Sequence, residues 1–122
     1  MNKITFLKYV SFLLIGCCAC NPVKIKKPAS LLPMDSVAVL VADSYFLESE
    51  IYVMKQKYDV KEYSMVKYDS FFFAHGITKE IFVDNVTYYF TNEKFADKIM
   101  NRVDTLVEQR VASLRDSLNI KQ

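Results

Sequence analysis

Apolar side chains recur at helical spacing along most of the chain beyond residue 33. Between about Asp35 and Lys57 they fall on one stripe, and a second set lines much of the opposite side. A helix that is apolar on nearly all sides usually lies at the centre of a protein or is covered by a partner. The pattern therefore predicts a central first helix, in which Asp35 and Ser36 suit the N-terminal cap and the first turn.

A second helix is expected to begin at Asp59, which together with Glu62 resembles a capping box. It continues to about Ala74 and ends at His75-Gly76, because glycine readily takes the left-handed conformation that closes many helices. A histidine in the last turn is favoured by the negative end of the helix dipole. We weigh this explanation of His75 above a ligand or catalytic role.

Two further helices follow. Thr78 suits the cap of a third helix at about 79–90, and Thr91 or Asn92 suits the cap of a fourth, which continues to about Leu118. From residue 34 onward the chain has no proline and one glycine, and short connections favour antiparallel neighbours. The expected fold is therefore all-α, a small antiparallel bundle of about four helices.

The first twenty residues have the pattern of a bacterial lipoprotein signal. Two lysines accompany an apolar run from Val10 to Ile15, and the small residue Gly16 precedes Cys17. A basic start, an apolar stretch and a small residue at the cleavage site define a secretory signal. A cysteine in this position resembles that of a lipobox, whose thiol is acylated, so Cys17 is the expected lipidation site. The alternative site is Cys20.

This interpretation divides the chain into a signal peptide (1–16), a lipidated cysteine with a flexible tether (17–33) and a helical domain (34–122). All three prolines lie within the tether. The alternative for the N-terminus is a transmembrane helix, which needs roughly 20 apolar residues. Lys8 interrupts the apolar stretch and Asn21 ends it, so a spanning helix is disfavoured.

The charge balance gives no reason to expect a nucleic acid as a partner. Without residues 1–16, which include two lysines, the chain has fourteen basic and fourteen acidic residues. The sequence has one histidine and lacks the motifs of zinc metalloproteases, phosphate-binding glycine loops and serine hydrolases. We therefore expect no enzymatic activity, no cofactor and no metal site.

Two charged residues fall within predicted apolar faces. Glu48 lies about 20° from Val37 on the helical wheel, and Arg110 lies between Leu106 and Leu114. Such groups must be paired, hydrogen-bonded or extended towards water. One hypothesis is a buried Glu48–Arg110 pair that joins the first and last helices. The alternative is that each residue lies at the edge of its face and stays solvated.

Aromatic residues concentrate around the second and third helices. Phe71, Phe72 and Phe73 are consecutive, so they spread over about 200° of a helix and cannot all face one core. Part of this run, together with Tyr88 or Tyr89, is a candidate partner surface near the turn between the second and third helices, because aromatic residues are enriched where interfaces concentrate binding energy. The alternative is that these rings pack against the fourth helix.

Three stretches resemble a family of small Bacteroidota lipoproteins that is designated domain of unknown function 4296. They are Leu32–Asp35, Asp43–Glu48 (similar to the family's D-x-H-x-x-E), and His75-Gly76-Ile77-Thr78 with Phe82 and Tyr88-Tyr89. The likeness covers roughly Leu31 to Glu108. Tyr45 stands where the family frequently has histidine, which argues against a metal ligand there. The resemblance implies a helical fold and an envelope location, and it implies no known activity.

A second likeness bears on function. Gly76-Ile77-Thr78 with Phe82 is similar to the helical substrate-binding part of periplasmic chaperones of the SurA type, which implies protein binding. The leading hypothesis is a lipid-anchored, non-enzymatic module that binds another envelope protein during envelope assembly or maintenance. A carrier of an apolar ligand between the helices is the alternative.

The expected location is the periplasmic face of the outer membrane, with the inner membrane as the alternative. Cell-surface lipoproteins of Bacteroidota tend to carry acidic residues just after the acylated cysteine. Residues 18–24 contain none, which favours the inner face.

Replacing Cys17 by serine should abolish acylation, because the thiol is the acylated group, and should either release the protein from membranes or leave it unprocessed. Metabolic labelling with a fatty-acid analogue should give no labelled Cys17→Ser product. The control variant Cys20→Ser should be labelled as strongly as the unchanged chain. Undiminished labelling of Cys17→Ser would assign the modification to Cys20.

Overall fold

The computed structural model describes residues 25–119, so the proposed signal peptide and the cysteines lie outside the described residues. The described chain forms four helices, α1 (Met34–Met54), α2 (Val60–Ala74), α3 (Lys79–Phe90) and α4 (Glu93–Asn119), and contains no strand. The all-α fold class is confirmed. Within this range, no helix combines the length and the hydropathy needed to cross a membrane.

Side chains at three helix starts accept hydrogen bonds from backbone amides that the helix itself leaves unpaired. The acceptors, each with its N–H donors in parentheses, are Asp59 (Lys61 and Glu62), Thr78 (Ile81) and Asn92 (Lys94). The sequence predicts the caps at Asp59 and Thr78, and of its two candidates for the third cap, Thr91 and Asn92, the structure uses Asn92. The start of α1 differs from expectation, because the helix begins directly after Pro33, with Asp35 in its first turn rather than at the cap. Proline suits this position, since it has no N–H group to leave unpaired.

α2 ends in a left-handed turn at Gly76, whose φ is +62°. The N–H of Gly76 donates to the carbonyl of Phe73 at 3.1 Å, and the N–H of Ile77 donates to that of Phe72 at 3.1 Å. This pair of hydrogen bonds is the Schellman arrangement. A Cβ atom on residue 76 would meet no atom within 4 Å, so the position requires glycine for its backbone conformation and not for space.

α1 is the central helix, as its apolar pattern predicts. One of its faces carries Val37, Ala38, Val41 and Ala42, which pack with Tyr89 of α3 and with Ile99 and Val103 of α4. The other face carries Leu40, Leu47 and Ile51, which pack with Phe71 of α2. Full burial of one large apolar side chain contributes about 1.5–3 kcal/mol. The two faces of α1 therefore hold α2 and α4 on opposite sides.

α1 and α2 form an antiparallel hairpin. Near the turn between them, Glu50 accepts a hydrogen bond from the Tyr63 hydroxyl at 2.8 Å and pairs with the Lys67 ammonium at 2.6 Å. The Lys67 ammonium, and after it the Tyr63 hydroxyl, lower the pKa of the Glu50 carboxyl. This stabilisation is present above the ordinary pKa of glutamate and is lost as the pH falls through the lowered pKa. The side chains are partly exposed, so the contribution of this pair is small.

The segment before α1 belongs to the folded body. Asn85, which is 1% exposed, accepts a hydrogen bond from the N–H of Leu32 at 2.7 Å and donates to the carbonyl of Ser30 at 2.9 Å. The Tyr89 hydroxyl donates to the carbonyl of Leu32 at 2.7 Å. Leu31 and Leu32 also pack against the core. The folded body therefore begins before residue 34, the domain boundary expected from the sequence.

α4 runs in the same general direction as α1, to which no short connection joins it. Tyr89 binds Leu32, and its ring centroid lies 5.9 Å from that of Phe95, so α4 starts near the start of α1. Further along both helices, Arg110 binds Asp43. α4 takes this direction because Asn85 and Tyr89 of α3 form hydrogen bonds with the segment before α1. These bonds hold the end of α3, and so the start of α4, beside that segment.

Gly76→Val should lower the free energy of unfolding by on the order of 1–2 kcal/mol, because the left-handed conformation is costly for an L-residue. Gly76→Asn should cost less, since asparagine tolerates this conformation. Denaturant-induced unfolding of both variants measures the difference. A midpoint for Gly76→Val equal to that of the unchanged chain would contradict the left-handed cap.

Candidate functional site

A groove with a volume of about 470 Å³ lies between α2 and α3 and is open to solvent. Its walls are mostly apolar and aromatic, and three polar residues also line it. The apolar lining consists of Met65, Tyr68, Phe72, Phe82 and Val83, and the polar lining consists of Ser64, Asp69 and Lys79.

The three consecutive phenylalanines of α2 point in three directions. Phe71 is buried against α1, Phe72 is half-buried and lines the groove, and Phe73 is 89% exposed. Successive residues of a helix are about 100° apart, so this spread is what the geometry requires. The expectation that one core cannot accommodate all three rings is confirmed.

The outer side of α2 carries further exposed apolar residues. Val66 lies seven residues before Phe73 and therefore about 20° from it on the helical wheel. Met65, which precedes Val66 in the chain, lines the groove. More than half of the surface of each of these side chains is exposed. We call Met65, Val66, Phe73 and the adjoining groove the α2–α3 surface. Exposed Asp69 and Ser70 lie between Val66 and Phe73 along α2, so this side of the helix is apolar with a polar interruption.

Of the five residues of the candidate partner surface, two lie in the core of the protein. Phe71 and Tyr89 are buried, because each belongs to one of the two cores around α1. Tyr88 is half-buried and lines a separate concavity near the start of α4. Phe73 is the one member of the predicted set that is well exposed.

Asp43 joins three elements through one carboxylate. One of its oxygens accepts a hydrogen bond from Arg110 of α4, and the other lies 3.3 Å from Nε2 of His75, at the end of α2. The guanidinium of Arg110 also lies over the ring of Phe46, 5.0 Å from its centroid. Asp43 and His75 are each about one-quarter exposed. This cluster fixes the turn between α2 and α3 relative to α1.

The hypothesis of a buried Glu48–Arg110 pair is wrong. Glu48 is exposed, and Arg110 binds Asp43 instead. Glu48 lies about 140° around α1 from Asp43, so it cannot point at the same neighbours. Arg110 itself stays half-exposed, as the alternative of a solvated edge position predicts.

The surroundings of His75 indicate a structural role. A histidine–carboxylate pair becomes catalytic when it activates a nucleophile, but Ser44, beside Asp43, donates its hydroxyl to the carbonyl of Val41. His75 occupies the C-terminal cap of α2, as predicted. The sequence did not reveal its contact with Asp43. Among residues 25–119, His, Cys, Asp and Glu form no group of three or more that could hold a metal ion.

The family model described as "Domain of unknown function (DUF4296)" matches residues 28–112, which is more than half of the chain. The chain belongs to the DUF4296 family. The matched range includes all of α1, α2 and α3 and most of α4, so both the groove and the Asp43 cluster lie within the DUF4296 domain. No curated protein and no solved structure matches the chain.

Asp43→Asn should lower the free energy of unfolding by about 1 kcal/mol, because it removes the charge that Arg110 and His75 share in a partly exposed setting. Glu48→Gln is the matched control and should change it by less than about 0.5 kcal/mol, since Glu48 is exposed. Denaturant midpoints of the two variants test the assignment. A larger loss in Glu48→Gln than in Asp43→Asn would contradict it.

Proposed function

We propose that this DUF4296 protein is a lipid-anchored, non-enzymatic module that binds another envelope protein through the α2–α3 surface. The observation that carries the proposal is the 89% exposure of Phe73 beside an apolar groove. A phenyl ring in water makes no contribution to the stability of the fold, whereas its burial against a partner is favourable. Aromatic residues are also enriched among the side chains that dominate binding energy.

The position of the tether is compatible with anchoring and binding at the same time. Ile25 lines the same concavity as Thr91 and Phe95, near the end of α3. The turn between α2 and α3 lies at the opposite end, where α3 starts. The two ends of α3 are roughly 18 Å apart. A lipid attached at Cys17 would therefore leave the α2–α3 surface free to meet a partner. The proposed location is the periplasmic face of the outer membrane, and the proposed role is in envelope assembly or maintenance.

The alternative of a carrier for an apolar ligand has weaker support. Ligand sites usually enclose most of the surface of a small molecule. The groove between α2 and α3 is open to solvent, so it would leave much of such a ligand in water. The same shape suits the side chains of a protein segment that lies along it.

Phe73→Ser should reduce recovery of the envelope partner by about 10-fold or more, because truncation of an aromatic anchor commonly costs 2 kcal/mol or more of binding energy. The free energy of unfolding should change by less than about 0.5 kcal/mol, since the ring is exposed. The measurement is affinity purification of the full-length lipoprotein after cross-linking in cells, followed by mass spectrometry.

Tyr52→Ser is the matched control, because Tyr52 is an aromatic residue of α1 that is 66% exposed and does not line the groove. It should leave partner recovery unchanged. Equal recovery with Phe73→Ser and Tyr52→Ser would contradict binding through the α2–α3 surface. A large loss of stability in Phe73→Ser would assign the ring to the fold instead.

A further inference from the structure

The second half of α4 carries an apolar stripe that the bundle covers only in part. Leu114 is 53% exposed and Leu118 is 65% exposed. Val107 and Val111 are half-buried, and all four side chains fall within about 60° of the helical wheel. The stripe lies on a different helix from the exposed side chains of the α2–α3 surface and is independent of the function proposed above.

The spacing of the stripe is that of a coiled-coil seam. Val107, Val111, Leu114 and Leu118 are separated by four, three and four residues, which is the alternation of d and a positions in heptads. Apolar side chains with this spacing insert between those of a facing helix. The stripe spans about 17 Å of α4, so a helix of similar length would cover it.

The stripe is complementary to itself when two copies run in opposite directions. When Val111 of one copy faces Leu114 of the other, Val107 of the first copy faces Leu118 of the second. Two-fold symmetry then forms each of these two pairs a second time, with the roles of the copies exchanged. In this register all four apolar positions of each copy are covered by apolar positions of the other.

The flanking charges match in the same register. Glu108 and Arg115 both occupy the e position of their heptads, and antiparallel pairing brings Glu108 of each copy beside Arg115 of the other. Both residues are exposed, and the ion pairs found among residues 25–119 involve neither. Parallel pairing would instead bring Arg110 of one copy towards Arg115 of the other, which is repulsive.

We infer that two copies of this chain associate through antiparallel pairing of residues 107–118 of α4. Two independent properties of the same segment, its apolar layers and its flanking charges, select a second copy in one register. The proposed lipid anchor, which this inference does not require, would further raise the effective concentration of the two copies at one membrane. The resulting dimer presents the α2–α3 surface twice.

Charge exchange between two full-length copies with different affinity tags tests this inference. Glu108→Arg places arginine at both ends of each predicted pair, and Arg115→Glu places glutamate at both ends. Either variant, co-expressed with a differently tagged copy of itself, should co-purify about 10-fold less than the unchanged chain, because two attractive pairs become repulsive. Co-expression of Glu108→Arg with Arg115→Glu should restore co-purification, since each pair is then oppositely charged again.

Arg102→Glu is the control, because Arg102 is exposed on α4 but lies outside the stripe and its flanks. It should co-purify with itself as the unchanged chain does. Absence of co-purification for the unchanged chain, or failure of the mixed pair to recover it, would overturn the inference. Circular dichroism of each variant identifies loss of helix. If a charge variant were to unfold, Leu118→Ser, which removes an apolar contact from an exposed position, should still reduce co-purification.

Discussion

α1 has apolar side chains on both of its long faces, and the packing of the rest of the chain depends on this constraint. Neither face can be left in water without losing the stabilisation that burial supplies. α2 covers the face that carries Leu40 and Leu47, and α4 covers the face that carries Val37 and Val41. α3 then has to bring the chain back to the start of α1. The buried amide of Asn85 holds it there by hydrogen bonds to the backbone of the preceding segment.

The exposure of the α2–α3 surface follows from this arrangement. α2 needs only one side to cover α1, and of its three consecutive phenylalanines Phe71 alone is buried. The left-handed turn at Gly76 directs the chain back so that α3 forms the second wall of the groove. Asp43 binds both His75, at that turn, and Arg110, on α4. The groove therefore has walls whose relative position is fixed by contacts with α1.

Local signals in the sequence predicted the helices well. Asp59, Thr78 and Gly76 act through hydrogen bonds or backbone conformation within a few residues, so the order of residue types reveals them. The central position of α1 was also predictable, because it follows from the distribution of apolar residues around one helix. The DUF4296 resemblance rested on short stretches and is confirmed over residues 28–112.

Contacts between distant segments were the part that sequence reasoning missed. Asp43 and Arg110 are 67 residues apart, and the choice of Asp43 over Glu48 depends on the rotation of α1 relative to α4. Asn85 was not singled out, although a lone amide in an amphipathic helix is a signal of a buried hydrogen-bonding site. The direction of α4 relative to α1 likewise depends on contacts between distant segments, namely the hydrogen bonds that Asn85 and Tyr89 make with the segment before α1.

The central functional claim is that the side of α2 that carries Phe73 faces a protein partner in the envelope. A photoreactive phenylalanine analogue placed at residue 73 of the full-length lipoprotein, with the same analogue at Tyr52 for comparison, tests this claim in intact cells. Light-dependent adducts are separated by mass and identified by mass spectrometry. We expect a discrete protein adduct from residue 73 that residue 52 does not form. The absence of an adduct from residue 73, or the same adducts from both positions, would contradict it.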